Sequence, residues 1–223
     1  MSKYEWKNYN LKNDVLSKKI TFYNKDNKFN FIENNNYNHI RDIFCLGLLI
    51  NNNKKKSNVL DYGSNILALS NIKNKIEIPK FNFFIFDPFA KKKIKTTQPF
   101  KITIFNNKVD LNKKKFDIIN FGSCIQYIEN FNQIDKHLDF SKISNIIISH
   151  TPLTLKKTYI ASQSNHKNLK QIIYNYHDII HYFQKKKFKL IFKSKNPDKY
   201  IALKQKNPQT FSLNLIFIKF GKN

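Results

Sequence analysis

The chain has four glycines, six prolines, two cysteines and one tryptophan in 223 residues, and Arg41 is its only arginine. Each shortage bears on what the protein is. The Gly-x-Gly-x-x-Gly turn that receives a dinucleotide pyrophosphate is absent, which weighs against a nicotinamide-dependent Rossmann enzyme. Cys45 and Cys124 stand far apart with no metal-ligand spacing. That fits a reducing cytoplasm, and a plain core role is favoured for Cys45 on a helix. No apolar run approaches the ~20 residues of a membrane span. Met1 to Asn10 carries no signal-peptide core, so a cytoplasmic protein is expected.

What is abundant is lysine. The formal charge is +25, with 40 basic residues against 15 acidic ones. Such a balance invites a nucleic-acid reading. Nucleic-acid readers, however, favour arginine for bidentate phosphate and guanine contacts. Lys, Asn, Ile, Phe and Tyr are plentiful here while Gly, Pro and Trp are scarce, the residue usage of an AT-rich genome. The runs Asn51 to Lys56, Lys91 to Lys93, Lys113 to Lys115 and Lys185 to Lys187 fall between apolar segments, where solvated loops belong. A solvated surface is the favoured reading, with no specific nucleic-acid partner, although the charge supports non-specific binding.

Hydrophobic residues make up 41% of the chain, enough to bury one α/β core with little left for a second. Residues 1–36 are polar with scattered aromatics, Tyr4, Trp6, Tyr9, Phe22 and Tyr23, and form either a cap over the ligand site or a loosely ordered lead-in. Residues 37–223 read as a single domain. Ile40, Ile43, Phe44, Gly47 and Leu48 recur at helical spacing. Strands are expected at 58–61, 81–86, 101–105, 116–121, 144–149 and 188–192, with a last one over 212–218. Ile128, Phe131, Ile134 and Leu138 predict one helix, and Ile172, Tyr176, Ile179, Ile180 and Phe183 another. Alternating strands and helices call for a mainly parallel sheet covered on both faces.

Ser57-Asn58-Val59-Leu60-Asp61-Tyr62-Gly63-Ser64-Asn65 carries the chemistry: an apolar strand, an acid, a glycine, then small polar residues. In an open α/β sheet a ligand binds where such a strand turns towards a helix, and glycine admits it closely. Asp87 ends the next strand, 26 residues beyond Asp61. An acid there can take both hydroxyls of a ribose. For Asp61 and Asp87 the plainer alternative is a helix cap. The turn resembles the first motif of class I S-adenosylmethionine-dependent methyltransferases, with the usual second and third glycines replaced by Asn65 and Leu67. Phe116 to Ile128 resembles the fourth strand and loop of that fold, and Asn145 to Pro152 the fifth. The resemblance implies a Rossmann-like, mostly parallel seven-stranded sheet with helices on both faces and an antiparallel last strand. It also implies S-adenosyl-L-methionine as cofactor, with Asp61, Gly63, Ser64 and Asn65 near its methionine end. Asp87 would meet the ribose, and Ser123 and Cys124 would line the sulfonium.

Gln126-Tyr127-Ile128, Ser149-His150-Thr151-Pro152-Leu153 and Gln163 are further similar to a bacterial methyltransferase family found among surface-polysaccharide genes, which carries Arg where His150 stands. This implies a sugar or glycan intermediate as acceptor. His150 is the candidate base, since a neutral imidazole can take a proton from a hydroxyl; the alternative is a structural histidine. Tyr127 either orients the acceptor or packs, and Gln163 is a candidate substrate hydrogen-bonder. Asp117 begins its strand and reads as structural. His177 and His181, at i and i+4, lack a third ligand and read as an exposed helix edge, so no metal is expected. Two other functions remain: a methyltransferase fold that binds cofactor poorly, and a nucleic-acid methyltransferase. The latter lacks an Asn/Asp-Pro-Pro-Tyr/Phe motif where Gly122-Ser123-Cys124-Ile125 stands.

Overall fold

The computed structural model describes residues 24–25, 28–29, 40–50, 56–63, 81–87, 102–163, 166–196 and 209–221. The expected N-terminal cap lies outside the described residues apart from a two-stranded ribbon, β1 (Asn24–Lys25) and β2 (Lys28–Phe29). Helix α1 (Ile40–Ile50) leads into β3 (Ser57–Tyr62), followed by β4 (Phe81–Phe86) and β5 (Ile102–Phe105). Helix α2 (Lys108–Asn112) precedes β6 (Ile118–Gly122), and α3 (Asn132–Asp135) precedes β7 (Asn145–Thr154). The chain continues through β8 (Tyr159–Gln163), β9 (His166–Asn175), α4 (Tyr176–Lys185), β10 (Phe188–Asn196) and β11 (Thr210–Lys219).

Seven strands lie side by side in the order β10-β11-β7-β6-β3-β4-β5. The five from β7 to β5 are parallel, while β11 runs antiparallel to both β7 and β10. Strands in a parallel sheet must be apolar on both faces, and alternation sorts these side chains cleanly. Val59, Phe83, Ile85, Ile118, Ile147 and Ile216 pack on one face against Ile43, Phe44, Leu46 and Leu48 of α1. Leu60, Phe84, Ile119, Phe121, Ile146, Ile148, Leu215 and Phe217 pack on the other against Ile134 of α3 and Ile179 and Phe183 of α4. The expected sheet, its covered faces and its antiparallel last strand are all present.

Two expectations are corrected. The segment from Ile128 to Leu138 holds only the four residues of α3, not a long helix. Asn130 and Asn132 flank Phe131 there, and asparagine competes locally for backbone hydrogen bonds. Ile172 belongs to a strand: it faces Ile160 across a β8–β9 hairpin that the periodicity did not suggest. The helix begins at Tyr176, after Asn175, whose Oδ1 accepts from the N–H groups of His177 and Asp178 at 2.7 and 3.2 Å. β9 then joins the main sheet by parallel pairing of Tyr174 with Leu153 and Asn175 with Thr154. The hairpin therefore extends the carboxyl end of β7.

The lysines do more than face solvent. Lys186 Nζ lies 2.7 Å from Asp135 Oδ1 and over the rings of Phe140 and Tyr182, and Lys219 Nζ lies over Phe188. His177 and His181 are exposed on α4, and no group of three metal-ligating side chains occurs among the described residues. No described helix is long and apolar enough to cross a membrane.

The seat of α1 on the sheet gives a direct test. A Cβ on Gly47 would fall 2.2 Å from Ile147 Cδ1 and 2.4 Å from its Cγ1. Helix propensity favours alanine over glycine by ~1 kcal/mol, but overpacking a closed core costs ~1–3 kcal/mol. Gly47→Ala is therefore expected to lower stability by up to about 2 kcal/mol, seen as an earlier urea midpoint with unchanged slope. Adding Ile147→Val, which removes Cδ1, should recover part of the loss. A variant at least as stable as the parent would contradict this packing.

Candidate active site

The strand order reverses between β3 and β6: after β3 the chain adds β4 and β5 on one side, then returns to build β6 and β7 on the other. Ligands of open α/β sheets bind at the carboxyl ends of the strands beside such a reversal. Three neighbouring strands behave alike there. β3, β6 and the regular part of β7 are each followed by a left-handed residue: Gly63 (φ 76°), Ser123 (φ 55°) and His150 (φ 55°). Glycine adopts this conformation freely, but serine and histidine do so only at a cost the surroundings must outweigh.

Gly63 is required for space as well. Its N–H donates to the Phe86 carbonyl at 2.7 Å, holding the turn against β4. A Cβ on it would lie 2.7 Å from Cys124 Cβ and 3.2 Å from Sγ. Cys124 in turn donates its thiol to the Tyr62 carbonyl at 2.8 Å. Burial, and then the nearby Asp61 carboxylate, push the Cys124 thiol well above the usual range, so it stays protonated. The Tyr62 phenol is raised too, by burial and then by Cys124. The Tyr62 ring packs at a tilt against Phe86 and Phe121, at centroid distances of 4.8 and 5.4 Å.

Asp61 lies beneath this turn, fully buried, and accepts from Asn120 Nδ2 at 2.7 Å. Asp87 follows β4, half-buried, with its N–H on the Phe105 carbonyl at 3.0 Å. Ser123, also half-buried, donates its N–H to the Ser149 carbonyl at 2.8 Å. His150 follows Ser149 but stays within β7, which runs on to Thr154 where the sequence suggested an exit. Asp61, Gly63, Asp87, Ser123, Cys124 and His150 thus gather at one end of the sheet. Ser64 and Asn65 lie outside the described residues.

Tyr127 and Gln163 meet although 36 residues separate them: the phenol donates to Gln163 Oε1 at 3.0 Å. Tyr127 belongs to a turn of 3-10 helix, Ile125–Tyr127, and Gln163 to β8, so the bond pins the hairpin to the exit of β6. Tyr174 of β9 adds a second pin through its hydroxyl on the Ile128 carbonyl. Asp117 sits at the opposite end of the sheet, where its Oδ2 accepts from the Asn58 N–H at 2.7 Å.

The sequence reading gave no role to Asn120, Gln126 or Ser149. Asn120 interrupts the apolar run of β6, and that interruption was the available signal. Gln126 Nε2 donates to Ser123 Oγ at 3.2 Å. Three buried polar atoms in this region make no hydrogen bond among the described residues: Asn120 Oδ1, Gln126 Oε1 and Ser149 Oγ. Buried acceptors left open are costly and mark where a partner belongs. Two of these are pure acceptors, so the partner they suit carries N–H or O–H groups.

No protein-family model and no curated protein matches this sequence. Solved structures do match in fold. A Burkholderia thailandensis 1,6-didemethyltoxoflavin-N1-methyltransferase, with bound 1,6-didemethyltoxoflavin and S-adenosylhomocysteine, superposes with a TM-score of 0.52 at 10% identity, over 82% of this chain and 77% of that one. The magnesium protoporphyrin IX methyltransferase of Synechocystis PCC 6803, with bound S-adenosylhomocysteine, gives 0.50 at 14% identity, over 88% and 90%. An S-adenosylmethionine-dependent methyltransferase from Methanosarcina mazei gives 0.50 at 10% identity, over 78% and 98%. The fold is the Rossmann-like fold of S-adenosylmethionine-dependent methyltransferases.

Gly63→Ala would place a methyl group against Cys124 in a left-handed backbone. The conformational cost of ~1–2 kcal/mol adds to an overpacking cost of ~1–3 kcal/mol. A loss of about 2–5 kcal/mol in urea unfolding is expected. A loss below about 1 kcal/mol would mean the turn is looser than described.

Proposed function

We propose that this chain is an S-adenosylmethionine-dependent methyltransferase acting on a small hydroxyl- or amine-bearing acceptor. The observation that carries the reading is the glycine-only turn at the strand-order reversal, with acids at the tips of β3 and β4 and open buried acceptors beside them. The residues fit the cofactor. Gly63 leaves room for close approach, and Asp61 supplies negative charge beneath the methionine ammonium. Asp87 takes the ribose hydroxyls, while Ser123 and Cys124 border the sulfonium, the neutral thiol offering a nonionic wall. Ser64 and Asn65 follow Gly63 in the sequence, and the reading gives them to the same end of the cofactor.

When bound, the sulfonium supplies an already activated methyl group, so the protein's work is chiefly positioning and exclusion of water. The Tyr127–Gln163 pair, fixed by the hairpin, orients the acceptor. His150 takes the proton that a hydroxyl acceptor loses as its oxygen bonds to the methyl carbon. A sugar or glycan intermediate is the acceptor class this reading favours, because a polyol presents the O–H donors that buried amide and hydroxyl oxygens lack. The setting is a reducing cytoplasm, in which the buried Cys124 thiol stays free.

Titration calorimetry with S-adenosylhomocysteine tests the cofactor assignment, and the expected result is saturable binding at one site. Asp87→Ala should weaken it by about 1.5–3 kcal/mol, the range for a hydrogen bond to a charged group. Unchanged affinity in that variant would remove Asp87 from the ribose. No binding by the parent chain would instead favour a methyltransferase fold that has lost its cofactor.

His150→Asn tests the base, because asparagine also tolerates a left-handed backbone. Cofactor affinity should stay level while transfer of labelled methyl to sugar acceptors falls ~10²–10⁴-fold. Equal turnover in the two proteins would make His150 a structural residue.

A further inference from the structure

β7 does not pair evenly with β11. The register steps from Ile148 opposite Leu215 to Thr151 opposite Leu213, so Ser149 and His150 together face Asn214 alone. This is a β-bulge, and its left-handed position, usually a glycine's, is held by His150. Histidine does not stay there unaided. The Asn214 side chain lies against it: Oδ1 accepts from the His150 N–H at 2.9 Å, and Nδ2 donates to Ser194 Oγ of β10 at 2.9 Å. Asn214 is 1% exposed, on the face of β11 that it shares with the apolar Ile216. A primary amide in that place is costly unless both of its ends are used, and here both are.

We propose that Asn214 is a positioning residue. It fixes the left-handed backbone of His150, and with it the direction in which the imidazole leaves the strand. The bulge also carries the Ser149 carbonyl that receives the Ser123 N–H, so the same clamp steadies the tip of β6. This role rests on the reading of His150 as the base. Neither β10 nor β11 touches the Gly63 turn by any described hydrogen bond, so Asn214 acts on the proton-transfer side of the site and not on the cofactor side.

The test uses the full chain labelled at its histidine rings with nitrogen-15. His150 is assigned by the resonances missing in His150→Gly. Asn214→Ala should shift the His150 ring resonances and lower the melting temperature by about 2–6 °C, with S-adenosylhomocysteine affinity within twofold of the parent. In the His150→Gly background the same substitution should cost less than half as many degrees, because glycine takes the conformation without a clamp. An equal drop in both backgrounds with unmoved His150 resonances would make Asn214 an ordinary buried amide and overturn the proposal. Should Asn214→Ala fail to fold, Ser194→Ala removes only the far anchor and is read by the same two measurements. If the parent chain binds no S-adenosylhomocysteine, the methyltransferase reading falls, while the two-background comparison still decides the clamp.

Discussion

Three parallel strands must be level at one end of the sheet for their tips to form a site at the other, and Asp117 ties them. Its carboxylate takes the Asn58 N–H at the start of β3, and its own N–H returns to the Asn58 carbonyl at 2.9 Å. Its carbonyl takes the Ser144 N–H at 2.7 Å and the Ser144 hydroxyl at 2.9 Å, just before β7. From that line the ladders run in step, Asp61 beside Asn120 and Gly122 beside Ser149. Each strand advances ~3.3 Å per residue, so Gly63, Ser123 and His150 turn within about one residue of a common level. A slip of one residue in either ladder would exchange the two buried faces along a whole strand, which is why register and site are the same constraint here.

The central sheet was legible because its signal is redundant. Val59-Leu60, Phe83 to Phe86, Ile118-Ile119 and Ile146 to Ile148 each announce burial on two faces. Asp61 and Gly63 mark the turn that follows the first of them. The hairpin was not legible, because Tyr159 to Asn175 mixes Ser, Gln, Lys and Asn with few isoleucines and does not alternate. It becomes a strand pair only through pairing with β7 and through the Tyr127 and Tyr174 hydroxyls. Asn214 was hidden for another reason. An asparagine within an apolar strand is unremarkable in a chain so rich in asparagine, and its partner lies 64 residues away. Long-range polar pairs of this kind leave no trace in local pattern.

Lysine abundance takes on a second meaning once packing is known. A lysine stem is apolar, and its ammonium is attracted to ring faces, so it can roof an aromatic cluster that arginine or leucine might otherwise cover. Lys114 over Phe84, Lys186 over Phe140 and Tyr182, and Lys219 over Phe188 do this at the borders of the larger core. Such lysines cannot be exchanged as freely as those that lie over no ring, since removing them uncovers phenyl surface as well as charge.

The bulge in β7 has a consequence for how the molecule tolerates change in length. Below it, the even-numbered Ile146 and Ile148 point into the larger core; above it, the odd-numbered Leu153 does. One supernumerary residue has switched the parity of the strand. Deleting either Ser149 or His150 would restore unbroken alternation with Leu153 still facing the larger core, at the loss of the left-handed turn beside the site. The distal lobe is therefore phased to the sheet by a single residue, whose removal would alter the site at His150 and leave the core faces as they are.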